Sequence, residues 1–252
     1  MTFAVPASSY DRYMGRYSSE LSPQMADLAG VKEGQRVLDV GSGPGALTEE
    51  LVRRVGADRV AAIDPSPSFV AAVAERYGGV DARQGSAETL PYENQSFDVA
   101  IAQLVVHFMN DPLAGLREMR RVTRSGGVVA ACVWDHAARR SPIGPFWDAA
   151  HRFDPDLDDE ADLPGARQGQ LADLFETAGL REITQRTLTV SVEHAAFDDW
   201  WEPFTLGVGP AGKYVASLDD ERRHQIRDLA REALGPGPFR ISGHAWAVRG
   251  EV

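Results

Sequence analysis

The chain has 252 residues, 43% of them hydrophobic and 25% charged, the proportions of a globular protein long enough to bury a core without disulfides or metal staples. Its formal net charge of −11 opposes a role in neutralising nucleic-acid phosphates and reads instead as solubility. No window reaches the roughly 18 apolar residues of a membrane span.

The N-terminal stretch "MTFAVPASSYDRYMGRYSSE" has neither the basic leader nor the apolar run of a secretory signal, so none is expected. The lone Cys132 excludes an internal disulfide and agrees with a reducing, cytoplasmic setting. Strand-like and helical patterns then alternate. "RVLDVG" (36–41), "RVAAID" (59–64), "VDARQ" (80–84), "FDVAIAQL" (97–104) and "GGVVAACVW" (126–134) are short, bounded by glycine or charge, and read as strands, all but the third buried on both faces. Between them, "GALTEELVRRV" spaces Leu47, Leu51 and Val55 by four, and "SFVAAVAERYG" ends at Gly78 as a C-cap. "DPLAGLREMRRVTRSGG" carries Leu113, Leu116, Met119 and Val122 before a glycine stop. Strand, helix, strand at these intervals predicts a parallel sheet with helices on both faces.

The second half is less regular. Residues 136–167 hold prolines and the acidic run "DPDLDDEADLP", which reads as a solvated loop or lid. A helix ending at Gly179 and a strand near 181–192 follow, then "FDDWWEPF" and the helix "SLDDERRHQIRDLAREALG". In that helix Ile226, Leu229, Ala233 and Leu234 form the expected apolar stripe, with Ser217 and Asp220 as a capping box. "PFRISGHAWAVRG" reads as the last strand. No repeat or linker separates a second domain, so one domain over 1–252 is expected.

The stretch "VLDVGSGPGALT" (37–48) carries the chemistry. A chain leaving a strand for a helix turns sharply, and glycine supplies the positive φ and the missing Cβ that let a ligand approach the backbone. Gly41, Gly43 and Ala46 satisfy the dinucleotide fingerprint, and Asp64 stands where an acid binds a ribose diol. Both features suit NAD, so an NAD-dependent oxidoreductase is one reading. Asp39 argues otherwise, because an unpaired carboxylate repels a pyrophosphate and attracts the ammonium and sulfonium of S-adenosylmethionine. Taken singly, Asp39 also reads as a turn cap, Asp64 as a helix N-cap and Glu88 as surface.

The spacing Asp39-x-Gly41-x-Gly43-x-Gly45 resembles motif I of the class I S-adenosylmethionine-dependent methyltransferases, in the small-molecule branch that includes the quinone C-methyltransferases. "VAAIDPS" is similar to the family's second strand, and "GSAETLPYENQSFDVAIAQLVVHFMNDP" to its third loop and fourth strand. The likeness covers roughly residues 10–135. It implies a Rossmann-like three-layer α/β sandwich with a mostly parallel seven-stranded sheet, the last strand antiparallel. By the same analogy residues 1–30 form a cap, 31–135 the cofactor-binding core, and 138–170 with 191–238 helical lid insertions.

The resemblance further implies a methyl donor, S-adenosyl-L-methionine, held by Asp39, Gly41, Ser42 and Gly43 at the turn. Asp64 would bond the ribose hydroxyls, with Pro65 and Ser66 following it at the cofactor. Ser86, Ala87 and Glu88 would lie beside the adenine, and Gln103 and Leu104 would meet the methionine portion and the adenine. "YDRYMGRYS" is similar to a segment that folds over the cofactor in related enzymes, which would put Arg16 on the ligand carboxylate and Tyr17 at the pocket mouth; the plainer reading is a surface helix.

Methyl transfer needs alignment, and a base only where the acceptor loses a proton. His107, just past the fourth strand, is the candidate base, with a packing role as the alternative. His107, Trp134, Trp200 and Trp201 are the candidate acceptor-binding residues, core packing being the alternative for the tryptophans. No metal is expected. The predicted partner is a small, apolar or aromatic acceptor. A non-catalytic S-adenosylmethionine-binding protein is the remaining reading.

Overall fold

The computed structural model describes residues 5–252, so the first four residues of the expected cap lie outside it. Seven strands form one sheet in the order β3-β2-β1-β4-β5-β7-β6. They are β1 (Val37–Val40), β2 (Val60–Asp64), β3 (Asp81–Gln84), β4 (Phe97–Gln103), β5 (Thr123–Trp134), β6 (Arg181–His194) and β7 (Phe239–Glu251). β1 to β5 pair in parallel, while β7 runs antiparallel to both β5 and β6. Six strands therefore share one direction and the last in sequence opposes them, as the resemblance implied.

Side-chain alternation explains the two helical layers. Val37, Val60, Val99, Ile101 and Cys132 face one core with Leu47, Leu51 and Val55 of α3 (Ala46–Val55) and Leu21 and Met25 of α2 (Arg16–Ala29). Leu38, Val40, Ala61, Ile63, Ala100 and Ala131 face the other, with Leu116, Met119 and Val122 of α5 (Pro112–Val122) and Phe175 of α7 (Gln170–Thr177). Ahead of α2 stand α1 (Ala7–Tyr10) and a π turn, Asp11–Gly15. α4 (Pro67–Arg76) links β2 and β3, and α6 (Gly144–Phe153) follows β5. Between β6 and β7 come α8 (Phe197–Trp201), α9 (Gly209–Ser217) and α10 (Asp220–Leu234).

Several local expectations are corrected. Helix α5 stops at Val122 rather than at the glycines, because Thr123 Oγ1 donates to Met119 O at 2.7 Å and the β-branched residue starts β5 at once. Gly79, not Gly78, takes the left-handed φ of +100° after α4. Asp219 caps α10 by accepting from Arg222 N at 2.8 Å, while Ser217 Oγ donates to Tyr214 O, so no Ser217–Asp220 box forms. Ala230 replaces Ala233 in that helix's buried stripe, since it lies four residues after Ile226. Strand β6 runs to His194, which delays the second insertion to 195.

Candidate active site

The turn after β1 is built by backbone need. Gly41, Gly43 and Gly45 have φ of +69°, +54° and +104°, a region costly for other residues. A Cβ at Gly41 would meet both methyls of Val105 at 2.5 Å, whereas one at Gly43 would enter open space with Tyr10 Cε1 the nearest atom at 3.9 Å. Gly41 N and Ser42 N donate to Ile63 O at 2.7 and 3.1 Å, holding the turn against β2. Asp64 continues this tie: its Oδ2 accepts from Gly43 N at 2.9 Å and its Oδ1 from Ser66 N at 2.8 Å. Burial raises the Asp64 pKa, and the two backbone N–H groups work against that rise.

Beyond these groups, at the carboxyl ends of β1, β2 and β4, opens a cavity of about 230 Å³. Its wall includes Gly41, Gly43, Asp64, Pro65, Ser86, Ala87, Glu88, Gln103 and Leu104. Leu104 carries a φ of +61°, an uncommon conformation for a branched residue and one that clusters at functional sites. Gln103 donates through Nε2 to Ser18 O and Ser22 Oγ, both at 3.1 Å, while its buried Oε1 has no partner. Glu88 binds Ser86 Oγ and accepts from Asn110 N at 2.8 Å. Burial pushes its carboxyl up, but these hydrogen bonds outweigh it and leave the pKa below the ordinary value.

Three predicted residues sit behind this wall. Ser42 is buried and its Oγ turns to Gly43 O. Ser66 is the buried N-cap position of α4. Asp39 is only 1% exposed, and its Oδ2 accepts from Thr48 Oγ1 at 2.6 Å. Desolvation drives its pKa to about 7, with the Thr48 hydroxyl opposing. Asp39 is thus paired and half-neutral at pH 7, which corrects the picture of an unpaired carboxylate facing the ligand.

The N-terminal helix approaches the site through residues other than those expected. Tyr10 lines the cavity and packs edge-on against Phe69, with centroids 5.5 Å apart. Arg76 fastens this segment, donating to Asp11 Oδ2 at 2.7 Å and to Pro44 O at 3.0 Å. Arg16 and Tyr17 point elsewhere: Arg16 pairs bidentately with Asp199 at 3.1 and 3.2 Å, and Tyr17 OH lies 2.8 Å from His194 Nε2. The signal was the motif itself: "YDRYMGRYS", which carries Arg16 and Tyr17, begins with Tyr10.

A second, water-sized cavity of about 30 Å³ adjoins the first, sharing Tyr10, Leu104 and Phe108 as walls. His107 and Trp134 line it, and so do Tyr13, His136 and Glu160, which sequence reasoning passed over. Trp200 and Trp201 instead pack with Phe197, Phe204 and Phe146 in a buried aromatic group and line neither cavity. No group of three or more metal-binding side chains occurs among the described residues, and none of their helices is long and apolar enough to cross a membrane.

A Rossmann-like sheet with a nucleoside-sized cavity over a glycine turn defines a cofactor-binding α/β protein. Residues 38–131 match the family described as Methyltransferase domain, and the methyl donor of that family is S-adenosylmethionine. That stretch of the chain is similar to this domain, and the NAD reading of its turn gives way. It is 31% identical to 2-methyl-6-phytyl-1,4-hydroquinone methyltransferase 2, chloroplastic, of Oryza sativa subsp. japonica, over 59% of this chain and 39% of that protein. It is 34% identical to demethylmenaquinone methyltransferase of Renibacterium salmoninarum, over 48% of this chain and 49% of that one. The chain thus spans about half the length, or less, of these curated relatives. The fold is shared with the YcgJ protein of Bacillus subtilis, at a TM-score of 0.60 and 19% identity, covering 94% of this chain and 98% of that one.

Proposed function

We propose that this chain transfers a methyl group from S-adenosylmethionine to a small, apolar or aromatic acceptor. The observation that carries the reading is the adjacency of the two cavities, one nucleoside-sized and one small and inner, across the common wall of Tyr10, Leu104 and Phe108. The hydroquinone and demethylmenaquinone named for the two relatives are aromatic or quinonoid ring compounds of this kind.

The residues fit the cofactor on physical grounds. Asp64 has carboxylate lone pairs left after its two backbone bonds, enough to accept from a ribose diol. The missing Cβ of Gly43 leaves the space a nucleoside needs. The orphaned Gln103 Oε1 is an acceptor for an ammonium group, and Ser86, Ala87 and Glu88 would flank the base. When bound, the cofactor supplies a methyl carbon made electrophilic by its sulfonium.

The chain's own work is then alignment, exclusion of water and handling of a proton. Tyr10 and Phe108 stand in the wall that the two cavities share. His107 is the proton acceptor in this reading. Burial first, and then the neighbouring His136, hold its pKa well below 6.5. At pH 7 it is therefore neutral, with a ring nitrogen free to accept a proton, though as a weaker base than an exposed histidine.

Incubating the protein with methyl-labelled S-adenosylmethionine and a panel of phenols, catechols and hydroquinones tests the reading. Labelled product from at least one ring acceptor is expected. Saturable cofactor binding with no product from any acceptor would leave a non-catalytic binder in its place.

A further inference from the structure

The inner cavity is walled by polar atoms that lack partners. Tyr13 OH, His107 Nδ1, both ring nitrogens of His136 and Trp134 Nε1 are all buried without a hydrogen bond, and all belong to residues lining this space. Glu160, 3% exposed, joins them; its Oε2 accepts from Trp147 Nε1 at 2.9 Å. An orphaned buried polar group is costly, so native chains rarely gather several without something to satisfy them. Water can satisfy groups in a space of this size, and so can an oxygen carried by a bound ligand.

The set is assembled from separate parts of the chain. Tyr13 comes from the π turn, His107 from the 3₁₀ turn Val106–Phe108, and His136 from the turn after β5. Glu160 comes from the first insertion, and the Gly209–Pro210 start of α9 closes the far wall. The rings of His107 and His136 lie 5.7 Å apart between centroids, close enough for one small polar group to reach both.

We propose that this compartment is the seat of a hydroxyl or enol oxygen carried by the acceptor ring, with Tyr13, His136 and Glu160 as its recognition residues beside His107. The proposal rests on the methyltransferase reading and names the acceptor class more narrowly: a hydroxylated ring, not a hydrocarbon. Desolvation lowers His136 to about 4 and raises Glu160 to about 7. At neutral pH, then, His136 is uncharged with a free acceptor nitrogen, and a substantial share of Glu160 is protonated and able to donate. An uncharged set of donors and acceptors suits a neutral phenol better than an ion.

The test titrates protein saturated with S-adenosylhomocysteine against two probes of like size, 1,4-dihydroxybenzene and 1,4-dimethylbenzene, by calorimetry and tryptophan fluorescence. The diol should bind at least about tenfold more tightly than the hydrocarbon. His136→Phe and Glu160→Gln should each bring that ratio to within about twofold while S-adenosylhomocysteine affinity holds. Tyr13→Phe, which removes one oxygen, gives the same reading should the other variants fail to fold by circular dichroism. Equal affinity for the two probes, binding of neither, or a ratio unmoved in every folded variant overturns the proposal. Failure to bind S-adenosylhomocysteine at all would strike the methyltransferase reading instead, and diol selectivity lost in the variants would still support the polar seat.

Discussion

The amide of Gly43 donates to the carboxylate of Asp64 across 2.9 Å, joining the first glycine turn to the end of the second strand. One side chain thereby fixes the glycine loop, and under the proposed function its remaining lone pairs would accept from the ribose of the cofactor. Asp64→Ala should weaken S-adenosylhomocysteine binding by about 1–3 kcal/mol, measured by calorimetry. It should also lower stability, since Gly43 N and Ser66 N both lose their acceptor. Unchanged affinity would remove Asp64 from the site.

Strain and occupancy can be separated with two glycines. Gly43 and Gly30 share a positive φ, +54° and +68°, and a Cβ at Gly30 meets nothing within 4 Å. Gly30 ends α2, away from the cavity. Gly30→Ala should therefore cost about 1–2 kcal/mol in a urea melt and leave ligand affinity intact. Gly43→Val should cost at least as much stability and also abolish binding, because its side chain fills the ligand's space. Equal binding losses in both variants would mean that backbone strain, not occupancy, explains the effect.

The cofactor half was legible because its signals are local. β-branched runs, glycine punctuation and the acid at the end of β2 follow from backbone rules acting within a dozen residues. The inner cavity was legible only in part: His107 and Trp134 were named, but Tyr13 lies over a hundred residues from His136 and Glu160 and meets them only through tertiary packing. Asp39 shows a subtler miss. Its position was read correctly, but the Thr48 hydroxyl nine residues on, which pairs it, belongs to the helix that the turn introduces. Trp200 and Trp201 misled for the opposite reason: aromatic residues in an irregular segment suggested a binding wall, and the fold uses them to anchor that segment.

Arg16 offers a direct contest between resemblance and geometry. Its guanidinium is about one-third exposed and holds both oxygens of Asp199, with His194 Nδ1 3.1 Å from Nη1. Arg16→Ala should reduce stability by no more than about 1 kcal/mol, the scale of a partly exposed pair, with coupling to Asp199→Ala in a double-mutant cycle. S-adenosylhomocysteine affinity should change by less than about twofold. A loss of tenfold or more would restore the ligand-carboxylate role.

His107 sets an expectation for the pH profile of turnover. Burial and His136 hold its pKa well below 6.5, so the basic form survives to lower pH than in an exposed histidine. With cofactor and ring acceptor both saturating, so that the titrations of Asp39 and Glu160 near 7 affect binding and not turnover, kcat should stay level from pH 8 down through 6.5 and fall only beneath it. His107→Ala should lower turnover by about 10²–10⁴ with little change in cofactor affinity. An acid limb centred at 6.5, lost in the variant, would mean that the histidine is hydrated when it acts.

Asp39 should make cofactor binding a proton-releasing event. Its carboxyl has a pKa of about 7, raised chiefly by burial, so at pH 7 roughly half the molecules hold that proton. A cation arriving beyond the glycine turn favours the ionised form and lowers the pKa. Binding S-adenosylmethionine at pH 7 should then release up to about half a proton, read from calorimetry in two buffers of different ionisation enthalpy. The sign follows: affinity rises with pH through about 7 and levels off above, because the proton is already gone. Asp39→Asn should abolish the release near pH 7 and flatten the affinity profile there. Proton uptake, or equal enthalpies in both buffers for the native chain, would mean that the Asp39 charge does not sense the cofactor's tail.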